Sequence, residues 1–228
     1  MTATNLDAAA SFTFGIEGDE TVSLDPRDPG NWSGNTVNDG TLIGTKYGIS
    51  APDLIAWLKP APVTAATMAA MSKDTADAIY RSKYWAGVAG DTLPAGVDLS
   101  TVDMQYNAGT WGARLLQQAV GVEADGWIGP QTLAAVAKGL PPALSKASAR
   151  AAMAVQAHLG VPADGVVGPV TLAAVKRAPT SIPLLAALAD AQLAYYRSLG
   201  LFPVYGNGWT NRVWARLDAA LKLTGAPA

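Results

Sequence analysis

Residues 116–136, LQQAVGVEADGWIGPQTLAAV, align without gaps on residues 155–175, VQAHLGVPADGVVGPVTLAAV, and thirteen of the twenty-one positions are identical. Such identity at a spacing of 39 residues marks a repeated supersecondary unit. Asp125-Gly126 and Asp164-Gly165 supply a tight turn, because Gly accepts positive φ and Asp bonds back to the backbone. Pro130 and Pro169 follow where a helix starts without losing a hydrogen bond, and Leu133/Val136 and Leu172/Val175 give that helix an apolar stripe. Each unit reads as helix, turn, helix. Two are too few for a solenoid but enough for a small helical module.

The remaining sequence is also mostly helical in pattern. Leu6, Ala10, Phe12, Phe14 and Ile16 fall at helical spacing, with a stop near Glu17-Gly18. Asp19 to Gly48 breaks into Gly, Asn, Asp and Pro, a long loop of the kind that often carries function. Helices are expected again from Ser50 to about Leu58, after Thr64 and Ser72 as caps, from Leu99 to Gly109, from Ile182 to Leu199 and from Trp209 to Leu223.

Composition narrows the chemistry. The 228 residues contain no Cys and one His, which removes thiol nucleophiles, disulfides and Cys-ligated zinc. His158 stands where the first repeat has Ala119, so the unit does not need it. Carboxylates are the expected catalytic groups, with neither metal nor organic cofactor. A net charge of −2 argues against a nucleic-acid binder. Residues 1–110 carry 6 Lys/Arg against 13 Asp/Glu, and residues 111–228 carry 10 against 5, which suits the second half to an anionic partner. No apolar run is long enough for membrane insertion. The first residues lack the pattern of a secretory signal, so synthesis in the cytoplasm without a signal peptide is expected.

Several segments together resemble one family. Phe14-Gly-Ile-Glu17-Gly18, Asp25-Pro-Arg-Asp28-Pro29-Gly30 and Gly44-Thr-Lys-Tyr47-Gly48-Ile49-Ser50 are similar to the N-terminal signature of glycoside hydrolase family 108, lysozyme-like muramidases of phage endolysins and bacterial secretion-associated loci. Ile79-Tyr80-Arg81, Tyr84-Trp85, Asp103-Met-Gln-Tyr-Asn107-Ala-Gly109 and Gly208-Trp209-Thr-Asn-Arg212 follow in the same order. The unit around Gln117 resembles the family's peptidoglycan-binding part. The chain departs in three places: Asp19 replaces a second Gly, Asn31 to Ile43 lengthens a link, and the second repeat looks like an insertion.

The resemblance implies a mainly α protein, with a lysozyme-like muramidase domain over 1–96 and a helical peptidoglycan-binding region with a duplicated unit over 97–228. It implies cleavage of the β-1,4 bond between N-acetylmuramic acid and N-acetylglucosamine, with Glu17 as the catalytic acid. An apolar setting after Phe14 and Ile16 would favour the protonated Glu17. The second carboxylate is open among Asp19, Asp25 and Asp28, with Asp28 favoured. Tyr47, Trp32, Trp85, Gln105 and Asn107 are expected to bind sugar faces and edges. A lytic transglycosylase, or a wall-binding or secretion-accessory protein without catalysis, are the alternatives. The expected partner is peptidoglycan, met in the periplasm by way of a holin or an export system.

Overall fold

The computed structural model describes residues 3–17, 21–138 and 144–225. The sequence-predicted stop at Gly18 and the candidate Asp19 lie outside the described residues. Eleven α-helices are present among them: α1 (Ala3–Glu17), α2 (Ala51–Leu58), α3 (Ala65–Ala70), α4 (Lys73–Ile79), α5 (Val97–Ala108), α6 (Trp111–Val120), α7 (Pro130–Ala137), α8 (Ala149–His158), α9 (Pro169–Val175), α10 (Ser181–Ser198) and α11 (Phe202–Leu223). The chain is mainly α. Its only extended pairings among the described residues are isolated bridges in the long loop, and no described helix is long and apolar enough to cross a membrane. Two compact units divide it, residues 10–84 and residues 1–9 with 85–228.

The larger unit is built on a buried charge cluster. Asp103 of α5 is wholly buried and accepts hydrogen bonds from Arg212 Nη2 at 2.5 Å and from Arg216 Nε at 2.6 Å, both arginines on α11. Arg216 Nη1 donates to Gln192 Oε1 of α10 at 2.7 Å, and Gln192 Nε2 reaches back to Ser100 O of α5 at 3.1 Å. Three helices are thus fixed in register by one carboxylate and two guanidiniums, with Leu99, Met104, Leu185 and Leu217 packed around them. Burial pushes the Asp103 carboxyl upward, but the charges of Arg216 and Arg212 outweigh it and hold the group below the ordinary carboxylate range.

Helix α6 lies close against α5, because Gly112 has no side chain. A Cβ there would sit 2.5 Å from Gln105 N and 2.6 Å from Thr101 O. From α6 the first repeat proceeds through the Asp125-Gly126 turn into α7, and the second follows as α8, turn, α9. Each turn is tied to its helix by a buried glutamine. Gln117 Nε2 meets Asp125 Oδ1, Trp127 O and Thr132 Oγ1 at 2.6, 2.9 and 3.2 Å, and its Oε1 accepts from Gly126 N at 2.8 Å. Gln156 repeats the set on Asp164, Val166, Thr171 and Gly165 at 2.9, 3.0, 3.0 and 2.8 Å. The identical Gln, Asp-Gly and Thr of the aligned sequences are the members of this network.

One helix differs from expectation. The last helix begins at Phe202 instead of Trp209, and runs through Gly206 and Gly208. Pro203 fits the first turn, and the Phe202 ring covers Gly206, where a Cβ would lie 2.9 Å from it. Tyr205 and Tyr196 then pack on Trp209, with centroids 5.7 and 5.2 Å away. Aromatic packing thus supports a turn that two glycines would weaken.

Asp103→Asn should lower unfolding stability by about 3–5 kcal/mol in urea titration at neutral pH, because it removes the carboxylate charge that two buried guanidiniums share. The carboxyl's folded pKa is depressed, so its contribution is present above the unfolded value of about 3.9 and is lost as pH falls below it. The gap between wild type and variant should therefore narrow in acid.

Candidate active site

The unit of residues 10–84 presents the end of α1. Thr13 and Phe14, both buried and one turn before Glu17, meet Tyr80: Thr13 Oγ1 is 3.2 Å from the Tyr80 hydroxyl, and the rings of Phe14 and Tyr80 lie 5.3 Å apart. Lys73 Nζ stands 5.0 Å from the Phe14 centroid. These contacts fix the backbone that ends at Glu17, the last residue of α1. The Glu17 side chain itself lies outside the described residues.

Tyr80 opens a π-helical turn, Tyr80–Trp85, that continues α4. Such a turn widens the helix and is often found at functional sites. It places Lys83 and Tyr84 on the buried carboxylate of Asp53 in α2, one on each oxygen. Burial first, then the Asp53 charge and its hydrogen bond, push the Tyr84 hydroxyl far above its ordinary value, so it remains a donor. Neither Asp53 nor this trio was apparent from sequence; the signal was the Tyr-Arg…Tyr-Trp segment.

The long loop is ordered around Asn31, which is fully buried. Asn31 Nδ2 donates to Asp25 O at 2.9 Å, and Asn31 O receives Ile43 N at 2.8 Å and Gly44 N at 3.0 Å. The lengthened link between them folds back on itself through the Trp32–Leu42 bridge. Asp28 caps the turn Pro29–Asn31, its Oδ1 accepting from Gly30 N at 2.8 Å. Asp25 binds Arg27 through that residue's side chain and backbone amide, which holds the carboxyl down at about 2. Asp25 is therefore ionised at any working pH and does not serve as a proton donor.

Tyr47, expected to meet a sugar, is buried; it stands at a left-handed position, φ 52°, followed by Gly48 at φ 73°. Lys46 and Ile49 exchange both backbone hydrogen bonds around them, at 2.8 and 3.2 Å, which makes a tight turn of the type that favours Asn-Gly. A bulky residue with positive φ costs about 1 kcal/mol or more and is concentrated at functional positions. Lys46 Nζ clamps the turn by donating to Ala69 O and Met71 O at 2.7 and 3.0 Å, and stands 5.2 Å from the Tyr47 ring.

Glu17, Asp28, Trp32 and Tyr47 thus belong to one unit, with Asp28 and Trp32 on one loop. The Trp32 ring is half-buried, and its Nε1 donates to Pro26 O at 2.9 Å. Trp85, Gln105 and Asn107 belong to the other unit. Trp85 is corrected to a core residue: it is 2% exposed, its Nε1 donates to Asp91 Oδ1 at 2.9 Å, and Gly90 lies against its ring, leaving no face for a sugar. Gln105 Oε1 accepts from Ala113 N at 3.3 Å, and Asn107 Nδ2 donates to Asp103 O at 2.6 Å, so both side chains are engaged in local hydrogen bonds of α5 and α6.

The model of the family Glycosyl hydrolase 108 matches residues 10–109, a span that holds α1's end, the ordered loop and α2 through α5. The solved structure of Brucella abortus SagA is similar at 32% identity with a TM-score of 0.67, over 98% of each chain. The chain belongs to glycosyl hydrolase family 108. No curated protein matches it. It is a glycoside hydrolase of the peptidoglycan-degrading kind, and its lysozyme-like fold is the one the motifs implied.

Tyr84→Phe removes the hydroxyl from a buried carboxylate. It should lower stability by about 1–3 kcal/mol in urea unfolding, with Asp53→Ala costing at least as much.

Proposed function

We propose that this hydrolase cleaves the β-1,4 bond between N-acetylmuramic acid and N-acetylglucosamine, with Glu17 as general acid. The observation that carries this reading is the position of Glu17: last residue of a helix whose final turn is anchored on Tyr80, inside the family-matched span. The negative end of a helix disfavours a carboxylate's charge. That suits a group that must hold a proton until the glycosidic oxygen needs it.

In this mechanism Glu17 protonates the leaving oxygen while a second carboxylate activates water or stabilises the positive sugar ring. Asp28 takes that part. It is exposed on the ordered loop, whereas Asp25 is occupied by Arg27. Trp32, half-buried on the ordered loop, orients the sugar rings, and Tyr47, itself buried, holds the shape of its turn. We assign catalysis to residues 1–96 and wall binding to 97–228, where the basic excess suits the peptide carboxylates of peptidoglycan. The enzyme would act in the periplasm, reached through a holin or an export system, in the manner of an endolysin.

The test is release of reducing sugar from purified peptidoglycan. Wild type should release it and Glu17→Gln should lose about a thousandfold or more in rate, as removal of an essential proton donor does. Asp28→Asn should lose less if it stabilises charge. Full turnover by Glu17→Gln would refute the assignment of Glu17, whereas binding without release by wild type would favour a wall-binding role.

A further inference from the structure

The two repeats share the glutamine network that folds them and differ at three exposed positions around the turn. Around the turn of the first stand Glu123, Trp127 and Gln131; the second has Pro162, Val166 and Val170 at those places. Each of these six residues is exposed.

Trp127 is 67% exposed, yet its position is fixed. Its backbone N–H donates to Asp125 Oδ1 at 2.8 Å, and its carbonyl accepts from Gln117. Its ring lies on Gly129, where an added Cβ would come within 2.4 Å of Cζ3 and 2.6 Å of Cη2. The glycine is a seat for one ring face, and the other face is open. Beside it is a cleft of about 50 Å³ lined by Glu123, Asp125 and Gln131 among others. These supply acceptors and an amide at the ring's edge.

The second repeat has the same seat and nothing on it. Gly129 has φ −99° and ψ −173°, Gly168 has φ −97° and ψ −173°, and a Cβ built at Gly168 meets nothing within 4 Å. Val166 is as exposed as Trp127 but cannot reach across. One backbone thus occurs twice, once with an aromatic platform and polar rim and once with aliphatic side chains.

We propose that Trp127 is a preorganised stacking platform for the face of an N-acetylated sugar, so that the first repeat is the glycan-binding unit and the second is not. The proposal rests on the peptidoglycan reading above for the identity of the polymer. A flat ring already held in place binds a sugar face without the cost of ordering it. Carboxylate and amide groups beside it accept from and donate to the hydroxyl and acetamido groups at the sugar's edge.

The experiment is cosedimentation of the full chain with purified peptidoglycan sacculi, in a Glu17→Gln parent so that the polymer is not consumed. Trp127→Ala should weaken retention by about fivefold or more, the scale of one lost aromatic contact. Gly129→Ala, whose backbone angles suit alanine, should weaken it by dislodging the ring, and Gly168→Ala should leave it unchanged. Val166→Trp, which fills the empty seat, should raise retention. Glycan strands stripped of stem peptides should compete, and free stem peptide should not. Retention of Trp127→Ala within twofold of the parent overturns the platform, as does competition by stem peptide alone. No gain from Val166→Trp overturns the claim that the ring separates the two repeats. Circular dichroism and melting of each variant separate lost folding from lost binding. Absence of reducing-sugar release by the protein carrying Glu17 would count against the catalytic reading and leave the binding comparison intact.

Discussion

A single carboxylate shared by two arginines organises the larger unit. Asp103, Arg212 and Arg216 form a buried ionic cluster, with Gln192 taking one guanidinium hydrogen bond. Such a cluster is expensive to desolvate and is not a cheap source of stability. Its physical value is geometric. The hydrogen bonds of the cluster are directional and join α5, α10 and α11 at specific atoms, a constraint that non-directional apolar packing does not impose. We take that specificity as the reason for placing ions where apolar side chains would fit, with the Asp103→Asn comparison as its check.

From this cluster the geometry passes outward. Helix α5 is fixed by Asp103, and α6 docks on it through Gly112, which brings the backbones together. Gln117 then projects from α6 into the Asp-Gly turn and sets the conformation of the segment that presents Trp127. The second repeat repeats the glutamine network on α8 and α9. The glutamine network is thus identical in the two repeats, while three exposed positions around the turn, those of Glu123, Trp127 and Gln131, differ. In the other unit, the C-terminal part of α1 is held by a different device, the packing of Thr13 and Phe14 on Tyr80 in a widened helical turn.

Local chemistry was legible in the sequence. Thr64 and Ser72 cap α3 and α4 as expected, since each hydroxyl accepts a backbone N–H three residues on. The Asp-Gly turns and the prolines that open α7 and α9 also stand where their φ preferences put them. Partnerships between distant residues were not legible. The segments around Asp103 and Arg212 both stood out, but nothing in either says that they meet 109 residues apart. Trp85 shows the converse difficulty, because an aromatic next to a motif has the same letter whether it faces a cleft or packs on Gly90. Likewise a glycine pair hides the early start of α11, which depends on packing among its own Phe202, Tyr205 and Trp209 and on Tyr196 of α10. Glu17 was singled out by its neighbours, and Thr13 and Phe14 anchor the preceding turn of α1 on Tyr80.

The central claim is hydrolysis of the glycan strand by proton donation from Glu17. Its most direct test is digestion of purified peptidoglycan in oxygen-18-labelled water, followed by mass spectrometry of the released fragments. The account predicts a single labelled oxygen at the reducing carbon of N-acetylmuramic acid. Unlabelled 1,6-anhydro-muramic acid ends, or label at N-acetylglucosamine, would contradict it.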